Sequence, residues 1–98
     1  MSFSETIKTT ARAEKVSVTK DELIVQLDDG RKIHVPLNWF PRLLHADLDE
    51  LSRYQLIGQG EGIHWASIDE DISIEGLLAG RRSSESDDSF QKWLAKRN

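Results

Sequence analysis

Alternation of apolar and polar residues predicts β-strands over much of the first two thirds of the chain. Apolar residues occupy every second position from Leu23 to Leu27 and again from Ile33 to Leu37. This is the period at which successive side chains point to opposite faces of a strand. Weaker alternation near Val16, and short apolar runs on either side of the glycine-rich stretch, have the same character. We therefore predict five strands, near residues 16–19, 22–27, 31–36, 53–58 and 62–66.

The turn between the second and third predicted strands determines how they pair. A two-residue loop would place Val25 opposite His34, an apolar side chain against a polar one. A three-residue loop over residues 28–30 places Val25 opposite Ile33 and puts Gly30 where a left-handed residue is needed. We therefore predict the three-residue loop.

Two short helices are predicted between and after the strands. Asn38 is a candidate N-cap for a helix near residues 38–45, with Pro41 in the first turn, where its missing N–H is tolerated. Ser73 is a candidate N-cap for a second helix near 73–79. The run 47–50 carries an acidic cap followed by Glu three residues later, which indicates a further short helix or turn.

The C-terminal segment has apolar residues at helical spacing. Phe90, Trp93 and Leu94 share one face of a predicted helix near residues 87–96. Because an isolated helix of this length is marginal in water, it must dock on its own domain or on a partner.

Together these elements predict an α+β fold: a small antiparallel β-sheet with short helices on one face and a C-terminal helix. A chain of 98 residues allows one small hydrophobic core. We predict a flexible arm over residues 1–13, a single α+β domain over 14–82, and a linker with a short amphipathic helix over 83–98.

The net charge of −4 hides an uneven distribution. Residues 21–80 carry a net charge of −8, whereas the segments before and after them carry +2 each. An acidic body disfavours non-specific binding to nucleic acid, because phosphate contacts need clustered Lys and Arg. The distribution favours a basic partner.

Composition removes several classes of protein. The chain has no cysteine, which excludes disulfides, thiolate nucleophiles and Cys-ligated zinc. No apolar run approaches the roughly 20 residues of a membrane span, and the N-terminus lacks the layout of a signal peptide. We expect a cytoplasmic protein without a cofactor or a membrane partner.

The candidate chemical groups have structural explanations as well. The glycine-rich stretch 58–62 lacks the Gly-Lys-Ser/Thr ending of a phosphate loop and is followed by a strand, so we interpret it as a hairpin loop. The run Asp69-Glu70-Asp71 is predicted to be an exposed acidic turn, either solvated, or a surface for a basic partner, or a weak cation site.

His34, His45 and His64 lack metal-site spacing and a visible nucleophile, so we predict structural or surface roles and no catalytic or metal site.

Aromatic residues are the best candidates for anchoring a partner. For Trp39 and Trp65 core packing is favoured over an interface, whereas Trp93 on the late helix is the best candidate anchor for a partner and fits core packing equally well. Arg42 is predicted to pair with Asp69 or Asp71, either structurally or as a clamp on a partner. The predicted partner-binding residues are Trp39, Arg42, Trp65, Asp69, Glu70, Asp71, Phe90 and Trp93.

Five motifs follow one another through the middle of the chain: Leu27-Asp28-Asp29-Gly30-Arg31, Val35-Pro36-Leu37-Asn38-Trp39-Phe40-Pro41-Arg42-Leu43, Gly60-Glu61-Gly62-Ile63-His64-Trp65, Asp69-Glu70-Asp71-Ile72-Ser73-Ile74 and Leu77-Leu78-Ala79-Gly80. In this order they resemble the bacterial domain of unknown function 2442 family, over about residues 16–80. The resemblance implies a small α+β domain with no catalytic residues to carry over. It also implies a gene neighbour from the domain of unknown function 4160 family, in an arrangement that resembles a toxin–antitoxin pair.

Three functions are therefore considered. The first is a non-enzymatic, antitoxin-like interaction module that occludes a small basic protein encoded nearby; a second copy of the chain is another candidate partner. The second is a DNA-binding autoregulator that uses basic residues near its two ends. The third is a small metal-dependent hydrolase built on His64 with Asp69 or Asp71, for which the sequence shows neither a triad nor a ligand set. The basic residues of the second hypothesis are Arg12, Lys15, Arg81, Arg82, Lys96 and Arg97.

Overall fold

Three consecutive strands form the first antiparallel sheet in the computed structural model, which describes residues 11–97. They are β1 (Ala13–Val18), β2 (Glu22–Leu27) and β3 (Lys32–Pro36), in the order β1-β2-β3. The predicted three-residue loop is confirmed: Val25 lies opposite Ile33, and Gly30 has a φ of +95°. This register keeps the apolar side chains of β2 and β3 on the same face.

A second antiparallel sheet follows, so the strands divide into two sheets where one was predicted. It comprises β4 (Gln55–Ile57), β5 (Gly62–Trp65) and β6 (Glu70–Ser73), in the order β4-β5-β6. The prediction of an acidic turn at residues 69–71 is wrong, because Glu70 and Asp71 belong to β6. Ile72 on this strand is buried opposite Ile63, and this apolar contact pulls the acidic segment into the sheet.

Four short α-helices complete the described fold: α1 (Pro41–His45), α2 (Leu48–Ser52), α3 (Ile74–Leu78) and α4 (Asp87–Ala95). The predicted Asn38 cap is wrong, because Asn38 lies in a 3-10 turn (Leu37–Trp39) and α1 begins at Pro41. The residue before a proline is disfavoured in the helical region, and Phe40 accordingly has non-helical angles of φ −131° and ψ 88°. Within residues 11–97 no helix is long and apolar enough to cross a membrane.

Two predicted helix starts are confirmed by their hydrogen bonds. At α2, the Glu50 N–H donates to the Asp47 carboxylate (2.8 Å) and the Asp47 N–H donates to the Glu50 carboxylate (3.0 Å), which is a complete capping box. At α3, the Gly76 N–H donates to the Ser73 hydroxyl oxygen at 2.9 Å. These caps fix where each helix begins, through residues three positions apart in the chain.

Both sheets contribute to one hydrophobic core. Trp65 of β5 is fully buried, and its indole N–H donates to the Leu51 carbonyl at 3.0 Å, which ties the second sheet to α2. Ala13, which the sequence placed in the flexible arm, is buried as the first residue of β1; residues 1–10 of that predicted arm lie outside the described residues. The remaining buried apolar residues are Val16, Leu23, Val25, Leu27, Val35, Leu37, Phe40, Leu43, Leu51, Ile63, Ile68, Ile72, Ile74 and Leu77.

Candidate functional site

A cavity of about 380 Å³ lies between β6, α3 and the segment that follows α3. Phe40 and Arg42, from the start of α1, line one side of it, and the acidic run 69–71 lines another. The segment 81–85, which brings both basic and acidic side chains, lines the rest of the cavity, which is open to solvent. The cavity is thus lined by all four charged residues that the sequence proposed for partner binding: Arg42, Asp69, Glu70 and Asp71.

Glu70 occupies a position in β6 that the strand pattern assigns to the inward face. It pairs with buried Trp65 and lies two residues from buried Ile72, on the same side of the strand. Burial raises the pKa of Glu70 to about 7; Arg42 opposes that rise, and the neighbouring Glu85, Asp71 and Asp69 add to it. No hydrogen bond from residues 11–97 reaches the Glu70 carboxylate. A carboxylate in this position is energetically costly in its charged form.

Glu70 should therefore make folding stability depend on pH. Its pKa is higher in the folded chain than in the unfolded chain, so the native state holds the extra proton and stability falls as pH rises from about 4.5 to about 7. Because Glu70 is only half-buried, we expect the Glu70→Gln variant to be more stable than the parent at pH 8 by about 1–2 kcal/mol. At pH 4 the two should differ little. Urea denaturation at both pH values measures this difference.

Glu14 provides the matched control for this comparison, since it is an exposed carboxylate on β1. Glu14→Gln should leave the dependence of stability on pH unchanged. A Glu70→Gln variant whose advantage is the same at pH 4 and pH 8 would contradict the assignment of a costly charge to Glu70.

Arg42 is held by the segment after α3, and its predicted ion pair with Asp69 or Asp71 is wrong. Its Nε and Nη2 donate to the two carboxylate oxygens of Glu85, at 2.9 Å and 2.5 Å. Its Nη1 donates to the backbone carbonyl oxygens of Ile68 (2.8 Å) and Asp69 (3.4 Å). The Asp69 side chain is not used because that residue adopts a left-handed conformation (φ +54°) at the turn into β6, which directs its carbonyl towards the guanidinium.

The Arg42–Glu85 pair matters for the charge of the cavity. Both side chains are 14% exposed, so the pair is largely shielded from water. The bidentate contact with Arg42 lowers the pKa of Glu85, which keeps that carboxylate charged. Because Arg42 is paired with Glu85, its charge offsets the burial of Glu70 only in part, and the pKa of Glu70 stays raised.

Asp71 points to the opposite face of the second sheet from Glu70. There it lies directly across from His64 of β5, and the His64 Nδ1 contacts its carboxylate. The structure therefore joins two of the residues considered for a hydrolase, as an ordinary cross-strand pair. Among residues 11–97, no group of three or more His, Asp or Glu side chains is arranged to hold a metal ion.

The other two histidines make local contacts. The His34 ring lies 3.2 Å from the Glu22 carboxylate on the neighbouring strand. The His45 ring lies 3.0 Å from the Pro41 carbonyl oxygen and meets the Phe90 ring edge-on, at 5.2 Å between centroids. Each contact gives its histidine a structural role.

The three tryptophans have different environments. Trp65 lies wholly within the core and has no surface to offer a partner. Trp39 is half-buried and lies under the Arg82 guanidinium, at 4.9 Å from the ring centroid. Trp93 is half-buried because α4 docks on its own domain, with the Phe90 ring stacked on it at 5.8 Å. Of the three, only Trp39 and Trp93 keep surface for an interaction.

Two important charged groups were not found from the sequence. Glu85 lies in a serine-rich stretch without periodicity, so nothing in the sequence linked it to Arg42. Arg97 forms a bidentate pair with Glu50 of α2 (2.6 and 3.0 Å), and sequence reasoning had assigned it to DNA binding. Glu70 did carry a signal: the alternation of Ile68, Ile72 and Ile74 predicts a strand with residue 70 on the apolar face.

The fold and the site define a small α+β domain with two three-stranded antiparallel sheets and a polar, ion-paired cavity at the edge of the second sheet. The chain belongs to the family described as protein of unknown function (DUF2442), whose sequence model matches residues 13–83. No curated protein matches the chain significantly.

Two solved structures are similar to this chain. A protein of unknown function from Rhodospirillum rubrum, solved by crystallography, is 32% identical, with a TM-score of 0.67 over 79% of this chain and 95% of that one. An uncharacterised protein from Chromobacterium violaceum, solved by NMR in solution, is 23% identical, with a TM-score of 0.64 over 88% of this chain and 75% of that one. The second likeness concerns the fold alone.

Proposed function

We propose that this chain is a non-enzymatic protein-interaction module of the cytoplasm, whose cavity receives a basic side chain of a small partner protein. The observation that carries the proposal is the Glu70 carboxylate, which faces the cavity and receives no hydrogen bond from residues 11–97. A Lys or Arg side chain from a partner would donate hydrogen bonds to this carboxylate in place of water. It would also offset the cost of charging Glu70 in its half-buried position.

The charge of the wider body supports a basic partner. At the cavity itself the charges are mixed, because Asp69 lies next to Glu70 but Arg81 and Arg82 also line the space. The wider body, residues 21–80, has a net charge of −8. Such a field steers a basic protein towards the site and raises the association rate.

In its finer form the proposal is an antitoxin-like role. The partner would be a small, basic protein encoded by a neighbouring gene, and binding would neutralise it by occlusion. This form is supported by the gene arrangement that the family resemblance implies, together with the acidic body. The geometry of the cavity supports only the binding of a cationic group.

Co-expression with the product of the adjacent gene tests the proposal. We expect the two proteins to co-purify, and the Glu70→Gln variant to bind at least about tenfold more weakly in isothermal titration calorimetry, since it loses a partly buried charge pair. Glu14→Gln should bind like the parent. If the adjacent product neither co-purifies nor impairs growth on its own, the antitoxin-like role is wrong.

Proton release during binding shows whether the partner's cationic group binds at Glu70 or elsewhere on the acidic surface. Pairing with a cation lowers the pKa of Glu70 from about 7, so binding at pH 7 should release a proton from part of the population. Titrations in buffers of different ionisation enthalpy measure this release. If the parent and the Glu70→Gln variant release the same number of protons on binding, the partner's cationic group does not bind at Glu70.

A further inference from the structure

The C-terminal helix α4 is attached to the domain without contributing a fully buried residue. Phe90, Trp93 and Leu94 are half-buried, and the other described side chains of α4 are exposed. A helix of nine residues is marginal in water, so its contacts with the domain must keep it folded. Of the three half-buried residues, only Trp93 packs against the apolar core that holds the two sheets.

Two ion pairs hold the segment Glu85–Arg97, which we call the strap, at its two ends. Glu85 pairs with Arg42 of α1, and Arg97 pairs with Glu50 of α2, with the closest atoms 2.5 and 2.6 Å apart. The four side chains are between 14% and 24% exposed. Pairs at this depth are screened less than surface pairs but remain within reach of salt.

Trp93 links the two ion pairs. The guanidinium carbon of Arg42 lies 5.2 Å from the centroid of its ring, and that of Arg97 lies 4.7 Å away. Both distances are within the range of cation–π attraction. The cations that pair with carboxylates at the ends of the strap therefore also hold its central aromatic ring.

The packing beneath the strap is incomplete. A cavity of about 490 Å³ lies between α4 and the turn before β6, lined by Arg42, Ile68 and Trp93 among others. Before the strap, the Ser83 N–H donates to the Trp39 carbonyl oxygen at 3.0 Å, which attaches the chain to the domain just ahead of Glu85. When the strap opens, the chain would therefore move only after Ser83, and the core of the two sheets would stay folded.

We propose that the strap is an ionically held cover that detaches as a unit while the two sheets stay folded. Its release would uncover Arg42 and the parts of the Phe90 and Trp93 rings that pack on the domain; all three residues are half-buried in the docked state. The inference requires no particular partner and is tested on the isolated full chain.

Amide hydrogen exchange, followed by NMR on the full chain, tests this inference. Raising the salt from about 0.05 M to about 1 M shortens the Debye length from more than 10 Å to about 3 Å. We expect this change to speed exchange of the α4 amides several-fold, with the amides of Leu23 and Val25 in β2 unaffected. Arg97→Gln should speed α4 exchange at least about fivefold at low salt, because it breaks the bidentate pair with Glu50.

Arg53→Gln is the matched control, because Arg53 pairs with Asp49 on the same helix as Glu50 but is 59% exposed. It should leave exchange in α4 unchanged. The inference is overturned if α4 exchanges with the same opening free energy as β2, if its amides are unprotected already at low salt, or if Arg97→Gln behaves like Arg53→Gln.

Discussion

Replacement of Trp65 by alanine is expected to lower the free energy of unfolding by about 3–5 kcal/mol, the usual cost of removing a large buried aromatic side chain. Trp65 has no exposed surface, and its indole N–H bonds to the Leu51 carbonyl. The substitution leaves a cavity at the junction of the second sheet with α2, and it leaves that buried carbonyl without its donor. Urea denaturation followed by far-ultraviolet circular dichroism measures the loss.

Trp39→Ala is the matched control, since Trp39 is half-buried beside the core and its ring lies under Arg82. It should cost about 1–2 kcal/mol, in proportion to the smaller apolar area removed from contact. Equal losses for the two variants would mean that Trp65 does not have the central core position described above. If Trp65→Ala is too unstable to purify, Trp65→Phe should show a smaller loss of the same sign.

Gly60→Ala is expected to destabilise the chain by about 2–3 kcal/mol, for two separate reasons. Gly60 has a φ of +97°, a conformation that L-residues with a side chain rarely adopt. A Cβ at this position would also lie 2.6 Å from the Ala13 carbonyl oxygen of β1. The glycine loop and the first strand would have to move apart. Thermal and urea denaturation both report the change.

Gly30→Ala is the control that distinguishes the cost of a positive φ from the cost of the close contact. Gly30 has a nearly identical φ of +95°, but nothing lies within 4 Å of the position its Cβ would occupy. It should therefore show only the backbone penalty, about 1–2 kcal/mol. A loss at Gly60 no larger than that at Gly30 would show that the close approach to Ala13 is relieved at no cost.

The candidate site was only partly predictable from sequence. The sequence proposed the acidic run and Arg42 for partner binding, and the structure places them around one cavity. Their pairing was not predictable, because Arg42 meets Glu85, which lies 43 residues away in a stretch without periodicity. The inward position of Glu70 depends on β6, which among residues 11–97 pairs with β5 alone. The acidic composition of this strand predicts a turn there instead.

The aromatic residues of the C-terminal helix were likewise only partly predictable from sequence. The spacing of Phe90, Trp93 and Leu94 correctly predicted a helix with one apolar face, and α4 forms over Asp87–Ala95. Spacing left open whether that face docks on its own domain or on a partner. The docking on α1 and α2 depends on Glu50, whose capping role at α2 was visible in sequence but whose pair with Arg97 was not.

By itself the sequence determined the local features: the register of the first hairpin, the capping box at Asp47, the Ser73 cap and the amphipathic face of α4. These depend on neighbours a few residues away, and the period of a strand or helix reports them directly. Only the tertiary structure decided that the strands form two sheets, that Trp65 is core, that Glu70 faces a cavity, and that the C-terminal segment is held by ion pairs. Each of these depends on contacts between residues distant in the chain, where many pairings of similar residues are compatible with one local pattern.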